Sequence, residues 1–290
     1  MASQEKANDL HLPNRKGSAN MEFSPLVSVI TPVLNGRKYL EKCIESVLSQ
    51  SYPHVEHVFV DGGSSDGTLD ILKRYNQSYP QRVRFITGTD KTPEDAWNKG
   101  LLLSKGDILG WLGSDDTYTP DALRTVVEFF TLNPDASFVF GICDVIDQND
   151  QLMGQSGTED FDLEEMLDYG CRVPTCSAFY KREVIAQVGL LDTSFLPGDF
   201  DYWIRVGKVF RLYRIEKVLS KFRIHPGSIS GSKGIERKYA YIMYKTSRRH
   251  GGRIFSRHFK RYRIMPVVEF LRPVFGRFYP RIRRLIHWSW

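Results

Sequence analysis

The sequence predicts an α/β fold with a mostly parallel, doubly wound sheet flanked by helices on both faces. From residue 27 onward, short runs of β-branched and aromatic residues alternate with segments of helical periodicity. This alternation is typical of parallel strands joined by crossover helices. After about residue 140, strand-like and helical segments follow no regular order. The first half of the chain therefore predicts the sheet, and the second half extends it less regularly.

Each of the first four predicted strands is followed by a helical segment. The strands read "VSVITPV", "VEHVFVD", "VRFIT" and "DILGWL", and they begin at residues 27, 55, 83 and 107. In doubly wound sheets, ligands bind in the crevice beyond the carboxyl ends of the strands. We therefore expect a site along one edge of the sheet, formed by Thr31–Asn35, Asp61–Ser65, the 88–95 loop and Asp115–Asp116.

Charge and composition divide the chain into three parts. Residues 1–25 are polar and are expected to form a flexible tail, whereas residues 26–232 carry the α/β pattern. Residues 233–290 are expected to form a helical extension rich in basic and aromatic residues. Within it, residues 245–290 contain 13 Lys and Arg and one acid, so this segment carries +12 in a chain of net charge +6.

The basic extension interleaves arginines with aromatic residues from residue 251 onward. This composition is typical of a helix on an anionic membrane surface, where each cationic residue contributes about 1 kcal/mol. Pro266, Pro273 and Pro280 predict short kinked segments rather than one long helix. We predict membrane contact through residues 251–290, and packing on the main domain or on a second subunit is the alternative.

Several function classes are disfavoured by what the sequence lacks. No apolar run approaches the roughly 20 residues that cross a bilayer. The four cysteines form no CxxC pair, so we expect reduced thiols and a cytoplasmic location, peripheral at the inner face of the membrane if the extension binds lipid. The glycine patterns of dinucleotide-binding and P-loop proteins are both absent.

Two adjacent carboxylates, Asp115 and Asp116, follow the apolar run "DILGWL". Like charges at the end of a buried strand repel, and they stay ionised only when solvated, hydrogen-bonded or shared by a cation. Mg²⁺ and Mn²⁺ prefer oxygen ligands, and Mg²⁺ is commonly held by one or two carboxylates plus substrate phosphates. A helix-capping turn before Pro120 is the alternative, but the burial pattern favours the metal.

A second pair of acids, Asp199 and Asp201, lies in "GDFDYWIRV" at the start of a helical pattern. Acids in a first helical turn commonly interact only with the helix dipole. A carboxylate beside aromatic residues can instead have a raised pKa and act as a general base. His225 follows in the Gly- and Ser-rich segment "FRIHPGSISGSKG", where a loop that closes over phosphates would use it as a ligand or donor.

Together these segments resemble family 2 glycosyltransferases of the GT-A fold. The opening block reads "VSVITPVLNGRKYLEKCIESVLSQSYPHVEHVFVDGGSSDGT", the central block "DAWNKGLLLSKGDILGWLGSDD", and the distal blocks "GDFDYWIRV" and "FRIHPGSIS". The resemblance covers about residues 26–231. It implies metal-dependent, inverting transfer of a sugar of the hexosyl type from a nucleotide-diphosphate sugar, UDP-linked, to a hydroxyl of a glycan or lipid-linked acceptor. The QxxRW motif of processive members is missing, which favours transfer of one sugar at a time.

The resemblance also implies a role for individual residues. Asp199 falls at the position of the catalytic base, with Asp201 as the alternative. Asp116 would ligate Mg²⁺ or Mn²⁺, with Asp115 and His225 as further candidates. Residues along the expected edge would bind the nucleotide sugar: Thr31, Pro32, Val33, Asn35, Asp61, Asp95, Asn98 and Asp115.

Two positions depart from the family pattern. Gly62 stands where many relatives carry a second acid, and Gly113 where some carry an earlier aspartate of the metal motif, so the resemblance does not fix the base of the donor. A non-catalytic relative that binds membranes or nucleic acid through its tail is the rival hypothesis. The presence of both Asp116 and Asp199 favours the enzyme, and no nucleic-acid partner is expected. A sugar-nucleotide pyrophosphorylase would need a glycine-rich basic loop, which "TPVLNG" is not.

Overall fold

The computed structural model describes residues 24–194, 198–232 and 235–264, with the side chains of residues 236 and 237 left out. The predicted N-terminal tail lies outside these residues except for its last two positions. The part of the basic extension from residue 265 onward, with its three prolines, also lies outside them.

The strands of the described residues form one mixed sheet in the order β3-β2-β1-β4-β8-β6-β9-β5, with β7 paired to β6. Their bounds are β1 (Val27–Val33), β2 (Val55–Asp61), β3 (Val83–Thr87), β4 (Ile108–Trp111), β5 (Thr117–Tyr118), β6 (Phe138–Ile146), β7 (Leu152–Ser156), β8 (Ala178–Lys181) and β9 (Leu212–Arg223).

The first four strands pair in parallel, as the strand–helix alternation predicts. Strand β8 is antiparallel to both β4 and β6, and β9 returns parallel to β6. The sheet is thus parallel in its first half and mixed in its second, where the sequence loses its regular alternation. The strand order reverses between β1 and β4, which is where ligands bind in open α/β sheets.

Helices connect and cover the strands. The bounds of these helices are α1 (Arg37–Leu48), α2 (Thr68–Ser78), α3 (Pro93–Leu103), α4 (Ala122–Leu132), α5 (Leu163–Tyr169), α6 (Glu183–Val188), α7 (Gly198–Gly207), α8 (Ile235–Arg249) and α9 (Arg257–Phe259), which continues into a π-helical turn, Lys260–Ile264. Helix α3 begins as its sequence predicts, because Thr92 accepts the Asp95 N–H and Pro93 takes the first helical position.

Alternate residues of the strands enter cores on opposite faces of the sheet, as the period of a strand requires. On β1, Val29 packs in the cluster that contains residues of α1 and α4, while the next residue, Ile30, packs in the cluster with α3 and α7. The second cluster is rich in aromatic rings, with Trp111 lying 5.0 Å from Trp203. Helices therefore cover both faces, and the predicted fold class is confirmed.

The described part of the extension packs on the main domain. Helix α8 contacts α7, α9 contacts α5, and Met243 of α8 packs against the α3–α7 cluster. At the end of α8, Arg249 forms an ion pair with Asp192 at 2.9 Å. Across the described ranges, no helix combines the length and the apolar character needed to span a bilayer. The four cysteine side chains are free thiols.

Candidate active site

The carboxyl ends of β1, β2 and β3 meet at one edge of the sheet, where the sequence predicts a site. The Gly62 N–H donates to the Val33 carbonyl at 2.9 Å, and the Gly88 N–H donates to the Asp61 carbonyl at 2.9 Å. Asn35 has a left-handed backbone, with φ of 53°. Its side-chain oxygen accepts the Ser65 N–H at 3.0 Å, which ties the turn after β1 to the loop after β2.

Asp61 is fully buried and holds the loop that follows it. Its carboxylate accepts the N–H groups of Gly63 and Ser64 and the Thr87 hydroxyl, the last at 2.7 Å. The three donors come from the loop and from β3, so Asp61 fixes the shape of the edge. Asp61 thus lies at the edge that the strand pattern predicts, and its carboxylate accepts hydrogen bonds from three groups of the protein.

Thr31 and Val33 turn their side chains away from the edge and into the protein. The Thr31 hydroxyl lies 2.8 Å from His57 Nε2, and burial lowers the pKa of His57 to about 3, so this imidazole is neutral. Val33 is 4% exposed and packs with α1 and α2, whereas Pro32 between them is partly exposed. A ligand at this edge would therefore meet Thr31 and Val33 through their backbone groups.

The Asp115–Asp116 pair lies directly after β4, across the switch point from β1. Asp116 is 3% exposed, and its Oδ1 accepts the Arg223 N–H at 2.8 Å. Burial, followed by the neighbouring Asp115 charge, raises the pKa of Asp116 well above its usual range. A Cβ at Gly113 would lie 2.6 Å from Asp116 Oδ2 and 3.0 Å from Asp115 Oδ1. Both carboxylates thus fold back over Gly113, and a larger residue there would displace them.

His225 lies beside this pair, as the resemblance implies. Its Nε2 is 3.1 Å from Asp115 Oδ2, and its ring centroid is 4.9 Å from that of Tyr39. The loop that carries it is closed by Ser228, whose hydroxyl donates to the His225 carbonyl at 2.8 Å. Residues 110 positions apart in the chain therefore meet at the end of β4.

Arg223 links the segment after β4 to the segment after β6. The sequence does not single out this residue. The side chain is 1% exposed, its Nε donates to the Asp115 carbonyl at 3.0 Å, and Nη1 pairs with Asp150 at 2.7 Å. The guanidinium also lies 4.7 Å from the Tyr39 ring centroid. Arginines are almost never fully buried unless paired, and a single sequence carries no signal for such an exception.

The donor set fits a divalent cation that shares its coordination with a ligand. No three His, Cys, Asp or Glu side chains converge as a metal cluster within the described ranges. The pair of Asp115 and Asp116 instead offers carboxylate oxygens, the ligands that Mg²⁺ and Mn²⁺ prefer. Burial and the Asp115 charge both disfavour a negative charge on Asp116, and a cation bound there would neutralise it.

Asp199 lies in the first turn of α7, at a second polar centre. Its Oδ2 accepts the Thr175 hydroxyl at 2.7 Å and its Oδ1 accepts the Phe200 N–H at 2.8 Å. Burial raises the pKa of Asp199 despite these hydrogen bonds. A carboxylate with raised pKa and a fixed orientation is suited to accept a proton.

Asp201, the alternative base, is engaged elsewhere. It is 1% exposed, and its two oxygens lie 2.7 Å from Arg205 Nε and 2.8 Å from His250 Nε2. These contacts link α7 to α8. The structure therefore favours Asp199 over Asp201 as the group free to act on a substrate.

Asp95 and Asn98 on α3 have contacts within the protein. Asp95 Oδ2 accepts the Lys91 N–H at 3.3 Å, and this hydrogen bond, with Lys99 nearby, lowers the Asp95 pKa. Asn98 donates to the Leu191 carbonyl and accepts the Leu191 N–H, each at 3.0 Å. Asn98 thus joins α3 to the segment between α6 and α7, and both ends of its amide are used.

Asp90 places a carboxylate beside Gly62, the position where the family pattern would have a second acid. A Cβ at Gly62 would lie 3.3 Å from Asp90 Oδ2, while Asp90 Oδ1 pairs with Lys99 Nζ at 2.6 Å. Asp90 comes from the loop between β3 and α3. A contact of this kind between separate loops has no signal in a single sequence.

A family model described as glycosyl transferase family 2 matches residues 28–189. The chain is 32% identical over 213 residues to an uncharacterized glycosyltransferase of Nostoc sp., a match that covers 69% of this chain and 65% of that protein, just under two thirds of its length. It is 30% identical over 237 residues to TuaG of Bacillus subtilis, a glycosyltransferase assigned to teichuronic acid biosynthesis, with 77% of this chain and 88% of TuaG covered.

Two solved structures show a similar fold. TarS of S. aureus, solved with UDP-GlcNAc, is 18% identical with a TM-score of 0.59, over 86% of this chain and 72% of that one. The mannosyltransferase PcManGT of Pyrobaculum calidifontis, solved with GDP-Man and Mn²⁺, is 15% identical with a TM-score of 0.65, over 90% of this chain and 79% of that one. At these identities the likeness shows the fold, which is the GT-A fold that the resemblance implies.

Proposed function

The chain belongs to glycosyltransferase family 2. We propose that it is a glycosyltransferase that transfers one sugar at a time from a UDP-linked donor to a hydroxyl group with inversion. The observation that carries the proposal is the meeting of Asp115, Asp116 and His225 at the switch point between β1 and β4. This is the place where an open α/β sheet binds nucleotides.

The donor would lie along the edge described above, with the loops after β1 and β2 around its nucleoside. TarS and PcManGT, of the same fold, bind UDP-GlcNAc and GDP-Man, which supports a nucleotide sugar as donor here. Asn35 and Asp61 shape the loop that would receive the nucleoside. Asp90 beside Gly62 would supply a carboxylate on the same side of the pocket.

Asp116 would hold Mg²⁺ or Mn²⁺ together with the diphosphate, and Asp115 and His225 beside it are further candidate ligands. A divalent cation bound there supplies positive charge that stabilises the departing nucleoside diphosphate. Asp116 is fixed by the Arg223 N–H, and Asp115 is fixed by His225, so the protein orients its oxygens before a ligand arrives. Mn²⁺ is present in the PcManGT complex, which supports this choice of cation.

Asp199 would act as the general base. Its carboxylate would take the proton of the acceptor hydroxyl while that oxygen bonds to the anomeric carbon, and the bond from this carbon to the donor phosphate would break on the opposite side. The Thr175 hydroxyl would keep Asp199 Oδ2 in place during the transfer. A displacement in a single step inverts the anomeric centre.

The acceptor would be a growing glycan or a lipid-linked precursor of a polysaccharide. The assignment of TuaG to teichuronic acid biosynthesis supports this class of acceptor. A cytoplasmic enzyme that acts at the inner face of the membrane would reach such an acceptor.

Residues 251–290 would then touch the membrane, and the described part of this segment offers a surface for it. Ile254 is 53% exposed and Phe255 75% exposed, and Arg253 beside them is also exposed. Flotation of the full chain with phosphatidylglycerol vesicles would test this contact. Ile254→Ser with Phe255→Ser should reduce flotation several-fold, whereas Leu152→Ser with Met153→Ser, an equally exposed pair, should leave it unchanged. Failure of the full chain to float would contradict membrane contact, and equal flotation of both double variants would exclude Ile254 and Phe255 from it.

The central experiment is calorimetric titration of UDP into the full chain, with Mn²⁺ and with EDTA. We expect tight binding only with Mn²⁺. Binding of GDP rather than UDP would change the proposed nucleobase of the donor and leave the proposed mechanism as it stands. Failure of every nucleoside diphosphate to bind in either condition would contradict the proposed function.

A further inference from the structure

Glu94, which neither the sequence argument nor the resemblance singles out, is buried beside the candidate base. It lies in the first turn of α3 and is 5% exposed. Its Oε1 accepts the N–H of Gly198, the residue before Asp199, at 2.8 Å. Its Oε2 is buried and has no hydrogen-bond partner in the structure. A buried oxygen without a hydrogen-bond partner destabilises a fold.

The Glu94 side chain packs directly against Gly198. A Cβ at Gly198 would lie 2.4 Å from Glu94 Cγ, a distance that real atoms do not reach without a shift. The first turn of α7 therefore sits directly on the Glu94 side chain. Since Asp199 follows Gly198 in that turn, the position of the candidate base depends on Glu94.

The groups that face Asp199 come from three neighbouring parts of the chain. They are Glu94 on α3, Tyr239 on α8 and Cys171 after α5, in addition to the Thr175 hydroxyl. Burial and then the Asp199 charge raise the pKa of Tyr239 to about 12, and the same two causes raise the pKa of Cys171. Burial raises the Glu94 pKa, and Asp199 adds to it. Each of these three groups is an acid, and a negative charge on one disfavours a negative charge on the next.

We propose that Glu94 is a positioning residue that fixes the first turn of α7 and controls the basicity of Asp199. Its relevance to catalysis rests on the proposed function of Asp199 as the base. The Asp199 charge raises the pKa of Glu94, and such an interaction is mutual, so a negative charge on Glu94 makes Asp199 a better proton acceptor.

The test is the titration of Asp199 in the full chain, followed by ¹³C NMR of aspartate carboxyl groups and assigned with Asp199→Asn. In Glu94→Gln the amide oxygen can still accept the Gly198 N–H, but the ionisable carboxyl is gone. We expect the Asp199 titration to move down by about one pH unit. Glu164→Gln, a change of an exposed glutamate in the first turn of α5, should leave it unchanged. Superimposable titrations of Asp199 in the parent and in Glu94→Gln would overturn the proposal.

A second measurement needs no change at Glu94. In the parent chain, a carboxyl coupled to a second one titrates in two steps, so a single-step titration of Asp199 would also contradict the proposal. Transfer by Asp199→Asn at the parent rate would instead contradict the role of Asp199 as base. In that case a shifted titration in Glu94→Gln would still confirm that Glu94 controls Asp199, so the two failures are distinguishable.

Discussion

The two carboxylate centres of this protein use the same residue type in opposite environments. Asp115 and Asp116 lie at the end of a strand, among nitrogen groups from Arg223 and His225. Asp199 lies in the first turn of α7 near the acid Glu94, and it accepts hydrogen bonds from the Thr175 hydroxyl and the Phe200 N–H. Burial raises the pKa of both Asp116 and Asp199, and we propose that a cation compensates the charge at the first centre and a proton at the second. The surroundings of each carboxylate, rather than its residue type, are the basis for proposing donor binding at one centre and proton transfer at the other.

The largest expected effect is at Asp199. Asp199→Asn removes the proton acceptor and keeps the shape, so we expect kcat to fall by about 10²- to 10⁴-fold. UDP affinity in Mn²⁺ should stay within about threefold of the parent value, because the donor is held at the other centre. Transfer assays and calorimetry on the same preparation would measure both. A large loss of UDP affinity with intact transfer would reverse the roles given to the two centres.

Asp116→Ala should instead weaken the binding of UDP. Loss of a carboxylate that orients the cation and the diphosphate should weaken UDP binding in Mn²⁺ by about 3 kcal/mol, roughly 100-fold. In EDTA the variant and the parent should bind UDP equally weakly. Asp135→Ala, at an exposed position between α4 and β6, is the matched control and should bind UDP as the parent does. If Mn²⁺ improved UDP binding to Asp116→Ala as much as to the parent, the cation would lie elsewhere.

Asn98→Ala sharpens the comparison, because the resemblance places Asn98 at the donor while the structure joins it to Leu191. The substitution leaves the buried Leu191 N–H and carbonyl without partners, so we expect the free energy of unfolding to fall by about 2 kcal/mol. Chemical denaturation would measure it. UDP affinity should change little. A selective loss of UDP affinity at unchanged stability would return Asn98 to the donor site.

The smallest effect concerns pH. Burial raises the pKa of Asp199, so its ionised fraction falls as the pH drops through that raised value, and kcat/KM should fall about tenfold per pH unit below it. The Thr175 hydroxyl stabilises the ionised form, so Thr175→Val should move this limb of the profile to higher pH. The pH dependence of kcat/KM for both proteins is the measurement. A limb that does not move would mean that another group limits the rate.

Much of the fold could be predicted because its first half repeats one simple pattern. Parallel order, helices on both faces and the edge that gathers Asn35, Asp61 and Asp116 all follow from alternating strands and helices. The antiparallel pairing of β8 could not be predicted, since short irregular segments leave the strand partner open.

For the site, residue type and order indicated Asp199 and His225, but orientation could not be predicted. Thr31 and Val33 lie at the expected edge, yet strand alternation turns their side chains inward. Arg223 and Glu94 act through partners more than 70 positions away, Asp115 and Gly198. Such contacts depend on the completed packing and leave no periodic trace in one sequence.

The attachment of α8 has a consequence for how such proteins can be recombined. His250 at its end contacts the buried Asp201 of α7, and Met243 packs into the core that α7 lines. An exchange of C-terminal segments between relatives would therefore have to carry α7 and α8 together. A junction between them would leave Asp201 with Arg205 as its remaining partner and open the core beneath. Helix α7, which carries the candidate base, and helix α8 would therefore have to be exchanged as one unit, in evolution as in protein engineering.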